Sequence, residues 1–230
     1  MAESSKDDRY SGVRKENMRA IIFANGVMSN WPAALDLLPE SDLLIAADGG
    51  LNHCLHWGLK PHVIIGDMDS VDPVDVSAFG EKGVEVITFP PHKDETDLQL
   101  AIQLALDRNI QKIFVLGALG ARWDMTFSNV LILASPLLKI AAVKLLEEHQ
   151  EIFCIHGEQD IEINGSSGDI ISLLPLVHDA VGVTLSGFKY SLHEETLPVG
   201  TTRGISNVLK DTPARIRVKR GHLLVVATRG

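Results

Sequence analysis

The chain has 230 residues, of which 45% are hydrophobic and 22% charged, and a formal net charge of −9. This length can bury a substantial core as one large domain or two smaller ones. The acidic balance excludes a general nucleic-acid binder, which needs a cationic surface to displace counterions, and a polyphosphate could be held only with a divalent cation between it and the carboxylates.

Residues 1–17 are polar and charged and lack the apolar core of a signal peptide, so a flexible N-terminal tail is expected. Ala20–Ala24, Leu43–Ala47, Val63–Ile65, Val84–Phe89 and Ile113–Leu116 are short aliphatic runs that read as strands buried on both faces, as in a parallel sheet covered by helices. The clearest helix between them runs from Asp97 to Arg108, with Leu98, Ala101, Ile102 and Ala105 on one face. Thr96 and Gln99 supply a capping box at its start. Residues 18–140 are therefore expected to form a doubly wound, mostly parallel α/β domain.

Past Leu138 the pattern changes. Ala141–Leu146, Glu151–His156, Asp160–Ile163, Asp169–Leu174, Val181–Leu185, Arg215–Val218 and His222–Ala227 are short and β-prone, with turns between them. Residues 141–230 read as an antiparallel, sandwich-like β-domain, although the first of these strands could instead complete the α/β sheet. Asn164–Gly168 reads as a hairpin turn. The basic run Arg215–Arg220 alternates with apolar residues, as the solvated face of a strand does. Cys54 and Cys154 stand in no CxxC pair, which predicts reduced thiols in the cytoplasm. Lys139 interrupts the longest apolar stretch, so no membrane span is expected. His53 and His56 read as exposed helix histidines.

The acidic residues follow the strands. Leu43–Ala47 runs into Asp48, Val63–Ile65 into Asp67 and Asp69, Val84–Phe89 into Asp94 and Asp97, and Ile113–Leu116 into Arg122 and Asp124. In a parallel sheet these strand ends share one edge, where open α/β folds bind ligands. Singly, each acid has a turn or capping reading; together they repel one another unless a cation is present. Hard oxygen donors of this kind suit Mg²⁺ held with substrate phosphates. Gly117–Arg122 is glycine-rich but lacks the Lys-Ser/Thr of a P-loop.

Ala47–Gly50, Gly66–Ser70, Lys93–Leu98, Gly117–Asp124 and Gly204–Asn207, in that order, resemble the thiamine pyrophosphokinase family over most of the chain. The resemblance implies transfer of pyrophosphate from ATP to the hydroxyl of thiamine, giving thiamine diphosphate and AMP. It also implies a homodimer with active sites at the interface, a nucleotide-binding first domain and a thiamine-binding second one. Asp67, Asp69 and Asp97 would bind the metal and, with Arg122, form the catalytic set. Asp48, Asp94, Thr96, Gln99 and Asp124 would organise the nucleotide, and Ser206 and Asn207 would hold thiamine. Met125 stands where family members often carry His, and residues 207–230 contain no aromatic to stack on thiamine, leaving Trp31, Trp123, Phe188 and Tyr190 as candidates. The same phosphate machinery would serve a pyrophosphokinase for another heterocyclic alcohol, such as a hydroxymethylpterin. A nucleotide or thiamine diphosphate sensor has little need of so many carboxylates.

Overall fold

Five aliphatic runs and one later strand build the parallel part of a ten-stranded sheet. The computed structural model describes residues 18–230 except 33, 34, 36, 37, 39–41 and 121; the expected tail at 1–17 lies outside the described residues. β1 (Arg19–Phe23), β2 (Leu43–Ala47), β3 (Val63–Gly66), β4 (Glu85–Thr88), β5 (Lys112–Leu116) and β6 (Ala142–Leu146) lie in the order β6-β5-β1-β2-β3-β4. All of these neighbours are parallel.

Successive strand residues point to opposite faces, so each strand feeds two cores. Ile22, Ile45, Ile65 and Val115 pack on one side against Leu98, Ala101, Ile102 and Ala105 of α3 (Asp97–Asp107). Ile21, Phe23, Ala46 and Ile64 pack on the other against Leu51 and Cys54 of α1 (Gly50–His56) and Phe79 of α2 (Pro73–Glu81). The fourth helix, α4 (Trp123–Ile132), follows β5. Thr96 caps α3 by accepting from Gln99 N at 3.2 Å, the forward half of the expected capping box. β4 departs from the expectation of strands buried on both faces. It ends the sheet, and Glu85, Val86 and Thr88 are exposed.

The sheet does not stop at residue 140. β6 pairs in parallel with β5, and β7 (Gln150–His156) then adds antiparallel to β6. β14 (His222–Thr228), β9 (Ile170–Pro175) and β12 (Asn207–Val208) extend it to the far edge. Across this extension lies a four-stranded antiparallel sheet, ordered β11-β10-β13-β8, from β8 (Gln159–Ile163), β10 (Ala180–Ser186), β11 (Leu192–Leu197) and β13 (Ala214–Val218). Ile155, Leu173, Leu223 and Val225 meet Val183, Leu185, Ile216 and Val218 in the sandwich core. Arg215 and Arg217 point outward from β13, the solvated face that alternation predicts.

Asn164–Gly168 makes a turn but not a hairpin, because β8 and β9 belong to different sheets. The chain crosses between layers there, and the crossing is tied down by Asp169. Its buried carboxylate accepts from Ser166 N at 2.9 Å, Arg229 Nη1 at 3.0 Å and Gly230 N at 3.4 Å. Burial opposes the charge, but these donors outweigh it and hold the carboxyl below its usual range. A depressed folded value adds stability above the unfolded carboxylate pKa, about 4, and that stability is lost as pH falls through the folded value. Denaturant unfolding of Asp169→Asn should therefore lie well below wild type at pH 6, with the gap closing as pH drops below about 4. A gap that widens on acidification would refute this linkage.

Candidate active site

The strand order reverses at β1, which lies between β2, next in the chain, and β5, reached only after β4. Such a switch point leaves a crevice beyond the carboxyl ends of the strands. Here it is a cavity of about 270 Å³, bounded by Asn25, Asp48, Asp67, Asp97, Arg122 and Asn129 among others. The loops after β1 and β5 close its floor. Gly26 N donates to Gly117 O at 2.7 Å, and a Cβ on Gly26 would come within 2.4 Å of that oxygen. His53 Nε2 lies 2.9 Å from Gly26 O, so this residue ties α1 to the loop instead of facing solvent as its spacing suggested. His56 is exposed, as expected.

Backbone conformation brings the carboxylates together. Asp48 is buried and left-handed (φ 45°), and Met68 is left-handed at φ 64°. Gly66 has φ 148°, and a Cβ there would sit 3.0 Å from Asp48 Cβ and 3.1 Å from Asp97 Oδ1. Only glycine lets β3 end against both acids. Asp48, Asp67 and Asp97 each offer one oxygen, all within 4.8 Å of one another. Asp69 lines the same cavity but stands outside this group, and Ser70 Oγ donates to its Oδ1 at 2.9 Å.

Lys93 enters the cluster from the loop before α3. Its Nζ is 3.0 Å from Asp97 Oδ1 and 3.6 Å from Asp67 Oδ2. The shorter contact is an ion pair without hydrogen-bond alignment, so the buried Asp97 Oδ1 lacks a well-directed donor. Burial raises the Asp97 pKa; the ammonium of Lys93 counters this only in part, while Asp67 and Asp48 add to the rise. Burial works against the Lys93 charge, but Asp97 and then Asp67 more than restore it, leaving its pKa raised. Three converging carboxylates, opposed by a single ammonium, form a donor set that fits a hard divalent cation.

Arg122 also lines the cavity, and it forks onto Asp124 at 3.1 and 2.5 Å on the exposed start of α4. Each supports the other's charge: the Asp124 pKa is lowered chiefly by the Arg122 hydrogen bond, and that of Arg122 is raised by Asp124. Asp94 and Gln99 are exposed and do not line the cavity, and the Thr96 hydroxyl is engaged in its cap.

Ser206 and Asn207 lie elsewhere. Asn207 begins β12, seven strands from β2 across the sheet, or about 34 Å at roughly 4.8 Å per strand. Its buried amide bonds Tyr190 through Oδ1 at 3.0 Å and Nδ2 at 2.8 Å. Ser206 is exposed and left-handed (φ 56°), with its N–H on Ser172 Oγ at 3.0 Å. Trp31 packs on Phe23 and Trp57, and Phe188 is buried in the sandwich, whereas Trp123 and Tyr190 are 77% and 58% exposed. The sequence reading passed over Lys93, Asn25 and Asn129 as site residues. Asn25 lies two residues past the end of β1, so the rule that found the acids at strand ends would also have found it.

Two family models match the sequence: "Thiamin pyrophosphokinase, catalytic domain" over residues 34–145 and "Thiamin pyrophosphokinase, vitamin B1 binding domain" over residues 155–223. The thiamine pyrophosphokinase of Bacillus subtilis (strain 168) is 28% identical over 206 residues, covering 89% of this chain and 96% of that protein. Thiamine pyrophosphokinase 1 of Oryza sativa subsp. japonica is 26% identical over 209 residues, covering 78% and 76%. The crystal structure of the Bacillus subtilis enzyme superposes with a TM-score of 0.80 at 26% identity, over 93% of this chain and 99% of that one. Thiamin pyrophosphokinase from Candida albicans shares the fold, with a TM-score of 0.76 at 18% identity over 92% and 90%. With both family models matched in order and relatives aligned along nearly its whole length, the chain belongs to the thiamine pyrophosphokinase family, enzymes that transfer pyrophosphate from ATP to thiamine.

Proposed function

We propose that the switch-point crevice is where ATP gives up its pyrophosphoryl group to thiamine, with Asp48, Asp67 and Asp97 holding Mg²⁺. The observation that carries this reading is the convergence of three carboxylates, all oxygen donors, beside a cavity at the carboxyl edge of the sheet. Kinase-type enzymes generally use a divalent metal; Mg²⁺ suits a set of this hardness and, when bound, would neutralise charge on the phosphates. Arg122 would turn its fork from Asp124 to phosphate oxygens, a geometry that a guanidinium matches with two parallel bonds. Asn25 and Asn129 border the cavity, and Asn129 is fixed there by a 2.7 Å bond from its Nδ2 to Ala118 O.

Asp69 takes a separate part in this reading, that of proton acceptor for the thiamine hydroxyl as oxygen bonds to the β-phosphorus and AMP departs. It faces the cavity outside the three-carboxylate group, and a carboxylate not spent on a metal keeps more of its basicity. The resemblance alone would have made it a ligand.

The distance from the acids to Ser206 and Asn207 supports a homodimer. One substrate pair cannot bridge about 34 Å across the sheet, so the thiamine end of each site would come from a second copy. Residues 18–140 would then bind nucleotide and residues 141–230 thiamine, with exposed Tyr190 beside Asn207 as the flat partner for its rings. An apolar stripe on α4 supports the same reading: Trp123, Phe127 and Leu131, spaced by four, are 77%, 63% and 51% exposed. A cytoplasmic setting accords with the free Cys54 and Cys154, whose thiol pKa values are pushed up to about 12 by burial. No helix among the described residues is long and apolar enough to cross a membrane.

Incubation with Mg-ATP and thiamine should yield AMP and thiamine diphosphate; ADP as product would exclude pyrophosphoryl transfer, and turnover of a hydroxymethylpterin in place of thiamine would reassign the substrate. Asp67→Asn should lower kcat/KM by more than about 100-fold, beyond the effect of losing an outer partner of a ligand, and weaken Mn²⁺ binding. Asp69→Asn should lower kcat by about 10²-fold or more with Mn²⁺ affinity unchanged; an equal loss of affinity would make Asp69 a ligand after all. Phe127→Asp should shift the protein to monomer in analytical ultracentrifugation and abolish activity, and a fully active dimer would remove α4 from the interface.

A further inference from the structure

Lys93 has no part in the chemistry above, yet it sits among the proposed ligands. Its side chain is 11% exposed, and its Nζ pairs with Asp97 at 3.0 Å and Asp67 at 3.6 Å. These are two of the three residues whose oxygens lie within 4.8 Å of one another. An ammonium and a divalent cation compete for such oxygens and repel each other at these separations. Three carboxylates and one ammonium leave a net charge of −2, which a single divalent cation would cancel.

We propose that Lys93 is the resident counter-cation of this carboxylate group, and that it yields to a metal ion when a polyphosphate arrives with the metal to receive the displaced ammonium. The inference rests on the reading of Asp48, Asp67 and Asp97 as the cation ligands. A bare metal ion must break two ion pairs and leave the Lys93 ammonium without a counter-charge, which is costly. A metal–polyphosphate complex carries its own anion. The ammonium then exchanges carboxylate oxygen for phosphate oxygen, a short swing on a flexible four-carbon stem. The site thereby discriminates against free metal and accepts the metal–polyphosphate complex. Until that complex arrives, Lys93 keeps the carboxylates from driving one another apart.

The test is calorimetric titration of the full chain with Mn²⁺, with and without inorganic triphosphate. Wild type should bind Mn²⁺ at least about tenfold more tightly when triphosphate is present. Lys93→Met should tighten free Mn²⁺ binding by about tenfold or more and so narrow that ratio, whereas Lys93→Arg, which keeps the charge, should not. A second measurement needs no altered protein to fold: with lysine side chains isotopically labelled in wild type, the Lys93 NMR resonance should move when Mg²⁺ and triphosphate are added together. Unchanged or weaker free Mn²⁺ binding in Lys93→Met, or a Lys93 resonance unmoved at saturation, would overturn the inference and leave the carboxylate reading intact. Failure of Asp67→Asn to weaken Mn²⁺ binding would overturn both.

Discussion

Mutual repulsion among Asp48, Asp67 and Asp97 is the constraint around which the first half of the chain is arranged. Two like charges about 4 Å apart cost about 4 kcal/mol at an effective dielectric near 20. Three such pairs, before screening, approach the whole stability of an ordinary domain, about 5–15 kcal/mol. The carboxylates are nevertheless within 4.8 Å of one another, so compensation has to be built in. Part of it is visible as Lys93, in contact with two of the three. The backbone adds to the cost instead of relieving it: Asp48 and Met68 hold left-handed conformations that non-glycine residues seldom adopt, and Gly66 leaves out the Cβ that would push Asp48 and Asp97 apart. The cost of this arrangement is met by the strands beneath it, where Ile22, Ile45 and Val63 are fully buried.

The second constraint is the breadth of the sheet. Because β6 is shared between a parallel and an antiparallel neighbour, the nucleotide-type crevice and the β-sandwich form one continuous sheet instead of two bodies on a linker. Continuity fixes the separation of Asp48 from Asn207. A hinge could bring two linked domains together over a substrate; a hydrogen-bonded sheet cannot fold across itself in that way. On the proposed reading, completion of a site that uses both ends would fall to a second molecule, and the exposed apolar stripe on α4, which begins one residue after Arg122, would meet it.

Much of this was legible in the sequence, for a physical reason. Strands buried on both faces must be continuous aliphatic runs, so β1, β2, β3 and β5 were identified to within a residue or so, and their ends located Asp48, Asp67 and Asp97. What failed to show was structure held by long-range partners. β11 is polar, carries Glu194 in a left-handed conformation (φ 52°) and pairs with β10 through register shifts, so no period-2 pattern survives. β12 has only two residues. Asn164–Gly168 has the composition of a hairpin turn, but composition does not say which sheet the next strand joins. The edge position of β4 is likewise a property of the whole sheet and not of its own residues.

The site shows the same division. Acidic residues announce themselves by their position after strands, but the role each takes depends on which oxygens converge, and spacing cannot give that. Asp69 is two residues from Asp67 on the same loop, with the left-handed Met68 between them, yet only Asp67 has an oxygen in the three-carboxylate group. Lys93 is the sharper case. Four residues before Asp97, next to Asp94 and Glu95, it reads as ordinary surface; only the fold shows it turned inward, with 11% of its side chain exposed, against the group it neutralises. A lysine in that position makes the acidity of the crevice conditional. The carboxylates present their full charge to an incoming cation only when that cation brings an anion of its own, so the pairing of metal with phosphate is favoured by the protein before any chemistry begins.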